Sequence, residues 1–263
     1  MKEDCSLESL IFDTHAHYNA HGFDKDREEL LAQLPQKGIC AVINAGTTLE
    51  DSAECIQLAE RYDYCYAAAG IHPEDALVRP ENWLEQLEAL LKRPKVVAVG
   101  EIGLDYHYED DCPRDIQKQV FEEQLKLAKK LDLPVIVHDR EAHGDVMELL
   151  RKYRPRGVMH CFSGSAEMAK EVVALGMYIG LGGVVTFKNA RHPLEAAAVI
   201  PPDRLLNETD APYMAPVPYR GKRCDSTMIP YSAAKIGEIW GVSAAEVLAH
   251  GKENACTLFG ISL

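Results

Sequence analysis

The sequence predicts a (β/α)8 barrel, one α/β domain spanning residues 1–263. Three observations carry that expectation. Eight short apolar runs recur at LIFD (10–13), ICAVINAG (39–46), YCYAAAGIHP (64–73), KVVAVGEIGLD (95–105), LPVIVHDR (133–140), RGVMHCF (156–162), MYIGLGG (177–183) and RLLNETDAP (204–212). Most are nearly continuous in apolar residues rather than alternating, as strands buried on both faces are. Segments of helical character separate them, so each strand is followed by a crossover that returns the chain parallel. An open doubly wound sheet is the alternative, but it requires a glycine-rich first turn, and here histidines follow the first strand.

The elements follow in order. DREELLAQLPQKG places leucines at helical spacing and stops at Pro-Lys-Gly. ENWLEQLEALLKRP carries Trp83, Leu84, Leu87 and Leu91 on one broad stripe and ends before Pro94. PRDIQKQVFEEQLKLAKKLDLP is the longest helical segment, and REAHGDVMELLRKY and AEMAKEVVALG repeat the style. After the eighth run, YSAAKIGEIWGVSAAEVLAHGKENACTLFGISL reads as two closing helices separated at Gly241 and Ser243. No internal linker, low-complexity tract or long repeat divides the chain.

Composition narrows the class. With 47% hydrophobic and 26% charged residues the chain reads as an ordinary globular protein and not as a disordered one. The start, MKEDCSLESL, has no apolar core of signal-peptide length, and no run approaches a membrane span, so a cytoplasmic protein is expected. Eight cysteines without a CxxC pair argue for reduced, mostly buried thiols rather than a disulfide framework or zinc finger. A net charge of −13 argues against holding long duplexes by wide phosphate contact, although bound divalent cations invert the local potential at a carboxylate-rich site.

Candidate chemistry clusters where strands end. In FDTHAH, His15 and His17 stand two apart, so in extended backbone both imidazoles point to one side. Glu101 lies late in strand four, His138 ends strand five, His160 lies late in strand six and Asp210 late in strand eight. In a barrel all six meet at the C-terminal mouth. This mixed nitrogen and oxygen set suits zinc, manganese, cobalt, iron or magnesium and exceeds the four ligands of a structural zinc site. Two divalent ions (Mg2+, Mn2+ or Zn2+) about 3.5–4 Å apart use it more economically. Glu101 is the expected bridge and Asp210 the expected general base. A hydrogen-bonded polar core without an ion is the competing explanation.

Asp105, Asp139 and Asp13 are expected to orient imidazoles, Asp13 alternatively to hold backbone donors. His72 in GIHPED is expected at the substrate, with a turn role before Pro73 as the alternative. Tyr106 and His107 are weaker candidates for lining the pocket, while His143, His192 and His250 read as structural or solvated. In YRGKRC, Arg220, Lys222 and Arg223 suggest an anionic substrate, or else solvated loop charge. Covalent catalysis is disfavoured. Ser163 lacks a G-x-S-x-G elbow, and strand alternation would send Cys161 to the side opposite His160.

The stretches FDTHAHYN, GIHPED, VGEIGLDYHY, PVIVHDR, MHCFSGS and ETDAPYMAPVPYRGKR resemble the TatD family of metal-dependent hydrolases, which includes deoxyribonucleases. The likeness extends over essentially the chain. It implies an amidohydrolase-like barrel with divalent ions held by His15, His17, Glu101, His138, His160 and Asp210. It also implies hydrolysis of DNA phosphodiesters, often from a 3′ end, with DNA ends or single strands as substrate. One departure stands out: family members usually continue Arg-Asn-Glu-Pro, whereas this chain reads Arg223, Cys224, Asp225, Ser226, Thr227. Two other functions compete: hydrolysis of a small ester, amide or lactone by the same centre, and a non-catalytic scaffold in DNA handling.

Overall fold

The computed structural model describes residues 10–107, 110 and 112–263. Residues 1–9 of the segment weighed as a targeting sequence, Cys5 among them, and Tyr108 of VGEIGLDYHY lie outside the described residues. Eight strands form one sheet in sequential order with every neighbouring pair parallel. They are β1 (Ile11–Ala16), β2 (Ile39–Ala45), β3 (Cys65–Ala69), β4 (Val96–Asp105), β5 (Val135–Arg140), β6 (Gly157–Met159), β7 (Tyr178–Leu181) and β8 (Leu205–Asn207).

The helices α1 (Arg27–Gln33), α2 (Leu49–Arg61), α3 (Trp83–Leu91), α4 (Arg114–Leu131), α5 (His143–Tyr153), α6 (Ala166–Ala174), α7 (Arg191–Ala197), α8 (Ile229–Trp240) and α9 (Ala244–Phe259) complete the element order. Helix α2 has no counterpart in the reading of periodicity. Thr48 starts it by accepting a hydrogen bond from the Asp51 amide at 3.1 Å. Helix α9 begins with a reciprocal Ser243–Glu246 capping box and ends at Gly260 in the left-handed region, φ 67°.

Strands β6 and β8 are three residues each, shorter than their apolar runs. His160 and Asp210, expected inside strands, therefore lie in the segments that follow them. The seam between β8 and β1 is closed by that same segment. Asp210 donates its amide to the His15 carbonyl at 2.9 Å, the His17 amide donates to the Ala211 carbonyl at 2.7 Å, and Ala16 bridges Ala211 in parallel.

The barrel interior is filled by Phe12, Ala41, Ile43, Ala68, Ala98, Ile136, Val158, Tyr178 and Leu206, at least one from every strand. Ala255, Leu258 and Phe259 of α9, with Ile261, join this cluster and stop the barrel at one end. Counting by twos from Phe12 or Ala98 would turn His15 and Glu101 outward. Register shifts between Asp13 and Ala16, and between Val99 and Ile102, insert one extra residue in each strand and reverse the parity.

Gly103 holds β4 against β5 beside His138. Its φ is +149°, and a Cβ there would lie 2.0 Å from the His138 carbonyl oxygen. Gly103→Ala should therefore destabilise the protein by more than about 2 kcal/mol in equilibrium urea unfolding. A loss below about 0.5 kcal/mol would show that the two strands separate freely.

Candidate metal centre

Glu101 sits at the middle of the mouth, buried, with its two oxygens facing different partners. Oε2 lies 3.2 Å from His15 Nε2 and 3.6 Å from His17 Nε2. Oε1 lies 2.9 Å from His138 Nδ1, 3.5 Å from His160 Nε2 and 3.8 Å from His72 Nε2. Asp210 Oδ1 approaches His17 Nε2 at 3.4 Å and His15 Nε2 at 3.9 Å. All six residues expected at the mouth are brought together, and His72 joins them.

The nitrogens on the far side of the rings are held as well. His17 Nδ1 lies 2.8 Å from the Ala45 carbonyl, which only accepts, so that nitrogen carries the proton and Nε2 of the neutral ring presents a lone pair to the centre. His138 Nε2 meets Asp105 Oδ2 at 2.9 Å, leaving Nδ1 on the side of Glu101. His160 Nδ1 faces Glu208 Oε1 at 3.4 Å, and the His160 ring stacks on His15 at 3.6 Å between centroids. His72 has the opposite polarity. Its Nδ1 accepts from the Glu74 amide at 3.3 Å, so the neutral ring carries its proton on Nε2, facing Glu101.

The charges follow from this packing. Burial alone would raise the Glu101 carboxyl, but the imidazoles around it, His15 and His160 foremost, hold it well below the usual carboxylate range. Burial opposes a charged His138, yet Asp105 and Glu101 push its pKa up to about 10. Glu208 and Glu101 likewise overcome burial at His160 and raise it to about 9. Burial, aided by His138, pushes His72 down to about 3, keeping that ring neutral. Asp210 is opposed by burial but held below its ordinary value by the neighbouring histidines.

The residues fit divalent cations. Nε2 of His15 and Nε2 of His17 stand 3.0 Å apart, the latter unprotonated in the neutral ring, and the buried His15 Nδ1 has no hydrogen-bond partner. Two of the ligand groupings geometry allows are His15 with His17 and Asp210, and His72 with Glu101 and His138. A further grouping joins His15, Glu101 and His160.

Around this centre lies a cavity of about 740 Å3. Of the residues expected to orient imidazoles, Asp105 does so. Asp139 lines the cavity but pairs with His143 Nδ1 at 2.8 Å. Asp13 instead holds backbone and hydroxyl donors: it accepts from the Thr209 amide (3.0 Å), the Thr209 hydroxyl (2.7 Å) and the Ser226 hydroxyl (2.6 Å). Burial raises its pKa to about 7. Ser226 belongs to the segment Arg223–Thr227 singled out in the sequence, and it is anchored on Asp13 rather than lining the cavity.

Tyr106 and His107 do not line the cavity; the Tyr106 hydroxyl donates to Asp145, and His107 pairs with Glu141 at 3.0 Å. Arg220, Lys222 and Arg223 do not line it either. Arg223 makes two 2.6 Å hydrogen bonds to Asp26, and Arg220 covers the Phe187 ring at 3.7 Å. Cys161 corrects the alternation argument. The chain has left β6 by this point, Cys161 has φ 44°, and its side chain lines the same cavity as His160.

Sequence reasoning missed Arg140, the one Lys or Arg among the described residues lining the cavity, and Glu208 behind His160. Both carried a signal: each stands two residues from a recognised group, in HDR and ETD.

Histidines and carboxylates converging at the C-terminal mouth of an eight-stranded barrel define the class of metal-dependent barrel hydrolases. The sequence matches the family described as TatD related DNase over residues 12–260, and the chain belongs to that family. It is 42% identical over 256 residues, 96% of this chain and all of the relative, to the uncharacterized metal-dependent hydrolase YabD of Bacillus subtilis. It is 37% identical to the 3′-5′ ssDNA/RNA exonuclease TatD of Cronobacter sakazakii, over 95% of this chain and 97% of that protein. The crystal structure of YjjV, a TatD homolog from Escherichia coli K12, superposes with a TM-score of 0.90 at 36% identity, covering 98% of this chain and all of that one.

In metal-free protein, the raised histidines favour folding below their unfolded pKa near 6.5, and that contribution disappears as pH rises through about 9–10. Chelator-treated protein should therefore lose stability between pH 6.5 and 10, followed by urea midpoint. Asp105→Asn should flatten the loss, and an unchanged pH profile in that variant would contradict the Asp105–His138 pairing.

Proposed function

We propose that this protein is a two-metal phosphodiesterase that hydrolyses the ends of single-stranded nucleic acid in the cytoplasm. The observation that carries this reading is Glu101, whose two oxygens face separate nitrogen sets. His15, His17 and Asp210 would hold one ion and His138 with His160 the other, with Glu101 shared. Bound there, divalent cations would acidify a water and offset charge on the phosphate.

The chain's own groups supply the rest. Asp210 is ionised and opens on the cavity, so its carboxylate can take the proton from the attacking water. His72, neutral with its proton on Nε2, can donate a hydrogen bond to a phosphate oxygen. Arg140 supplies a cation for the same phosphate, and Asp105 and Glu208 keep their imidazoles oriented.

The name of the Cronobacter relative supports a single-stranded DNA or RNA substrate. The cavity supports action at ends: one arginine among many acids offers little for gripping a long backbone, whereas an end needs few phosphate contacts. No helix among the described residues is long and apolar enough to cross a membrane, and the seven described cysteines are free, which fits a reducing compartment.

Metal-loaded protein should shorten single-stranded oligonucleotides, bind two ions per chain by elemental analysis, and stop on chelation. Asp210→Asn should lower kcat by about 10²–10⁴-fold. Asp105→Asn should weaken metal binding about 10–100-fold, measured by competition with a chromophoric chelator. Clean, metal-loaded enzyme that leaves DNA and RNA intact while cleaving carboxylic esters would sink the phosphodiesterase reading.

A further inference from the structure

The mouth of the cavity is divided between two kinds of lining. The segments after β2 and β3 contribute Asp51, Glu74 and Asp75, and the ends of β4 and β5 contribute Asp105 and Asp139, together with Arg140. The segments after β6 to β8 contribute Phe162, Val184, Pro193, Tyr213 and Met214, with no carboxylate beyond the centre itself. Five acidic residues against one arginine crowd the first side with carboxylates, which together with burial raises Glu74 and Asp75. A phosphate chain is repelled there. The second side offers apolar surface and no repulsion.

Tyr213 is the prominent group on that second side. Tyr213 is 59% exposed although it lines the cavity, and Met214 beside it is 37% exposed. The backbone carrying them is nevertheless pinned. The Tyr213 amide donates to the Asp210 carbonyl at 2.8 Å, and the Cys224 amide to the Pro212 carbonyl at 3.0 Å. The following segment is tied to the one after β7: the Val217 amide donates to the Thr186 hydroxyl at 2.8 Å, and a Cβ on Gly183 would lie 1.8 Å from the Met214 carbonyl oxygen. An aromatic ring held on fixed backbone, three residues from Asp210 and left largely in solvent, contributes little to folding and gives a flat apolar face to whatever enters the cavity.

We propose that Tyr213, with Met214 beside it, is a stacking platform for the unpaired base next to the scissile phosphate. The inference rests on the phosphodiesterase reading and adds to it the group that selects single strands. A base in a duplex is held by its pairing partner and by the neighbour stacked on it, so it cannot turn onto the ring beside the scissile phosphate without being unpaired and unstacked, whereas an unpaired terminal base can. The acidic side opposes any path that would carry the phosphates across it. The strand therefore leaves over Tyr213.

The test compares kcat/KM of the metal-loaded full chain on a single-stranded decamer with that on the same decamer made abasic at its two terminal nucleotides. The preference for the intact decamer should fall about tenfold in Tyr213→Ala and return in Tyr213→Phe. Exposure of the ring makes both variants tolerable to the fold, which melting temperatures check. An unchanged preference in Tyr213→Ala overturns the proposal. Stacking is also read without cleavage, from the quenching of 2-aminopurine in the terminal nucleotide of the decamer. Quenching by wild type and Tyr213→Phe but not by Tyr213→Ala supports the platform even if no strand is cut, in which case the phosphodiesterase reading fails and the platform stands. Equal quenching by all three, or none by wild type, overturns the platform.

Discussion

Everything at the mouth is arranged around one buried carboxylate. Glu101 has almost no access to water, and placing its charge there costs several kcal/mol unless counter-charge surrounds it. Five imidazole nitrogens lie within 3.8 Å of it, and the raised His138 and His160 rings carry the counter-charge in the metal-free protein. Each ring is in turn oriented by what lies behind it: the Ala45 carbonyl behind His17, Asp105 behind His138, Glu208 behind His160. The buried His15 Nδ1 has no hydrogen-bond partner, and the His160 ring stacked on it fixes its plane instead. The cluster is a set of donors waiting for positive charge, and divalent cations satisfy it with the fewest protons.

The same constraint explains how the barrel closes. Strands β8 and β1 are joined at the mouth through Asp210 and Ala211, which exchange backbone hydrogen bonds with His15 and His17. Asp13 strengthens the seam from below by collecting donors from Thr209 and Ser226. Closing the sheet and assembling the centre are therefore one event. The buried Asp13 carboxyl is the link through which the segment Cys224–Thr227 reaches the centre without lining it.

How far the sequence revealed this differs from residue to residue. His138 and His160 follow simple alternation from Ile136 and Val158, which line the barrel interior, so their strand positions sufficed. His15 and Glu101 do not, because the extra residue in β1 and in β4 reverses the count, and bulges leave no mark in an apolar run. They were recognisable by chemistry, since a histidine pair and a glutamate in otherwise apolar strands have no use in a core. The cations of YRGKR show the same limit: nothing in the string shows that Arg223 is held by Asp26, nearly two hundred residues earlier.

The sequence by itself determined the strand and helix alternation, the barrel, and the identity of the groups at its mouth. These depend on local apolar patterning and on polar residues whose burial only a shared site can justify. Tertiary structure alone decided which oxygen of Glu101 faces which ring, which nitrogen of each histidine carries the proton, and which cations reach the cavity. Those are set by atoms brought together across the closed barrel, at distances where a one-residue shift in a strand changes every partner.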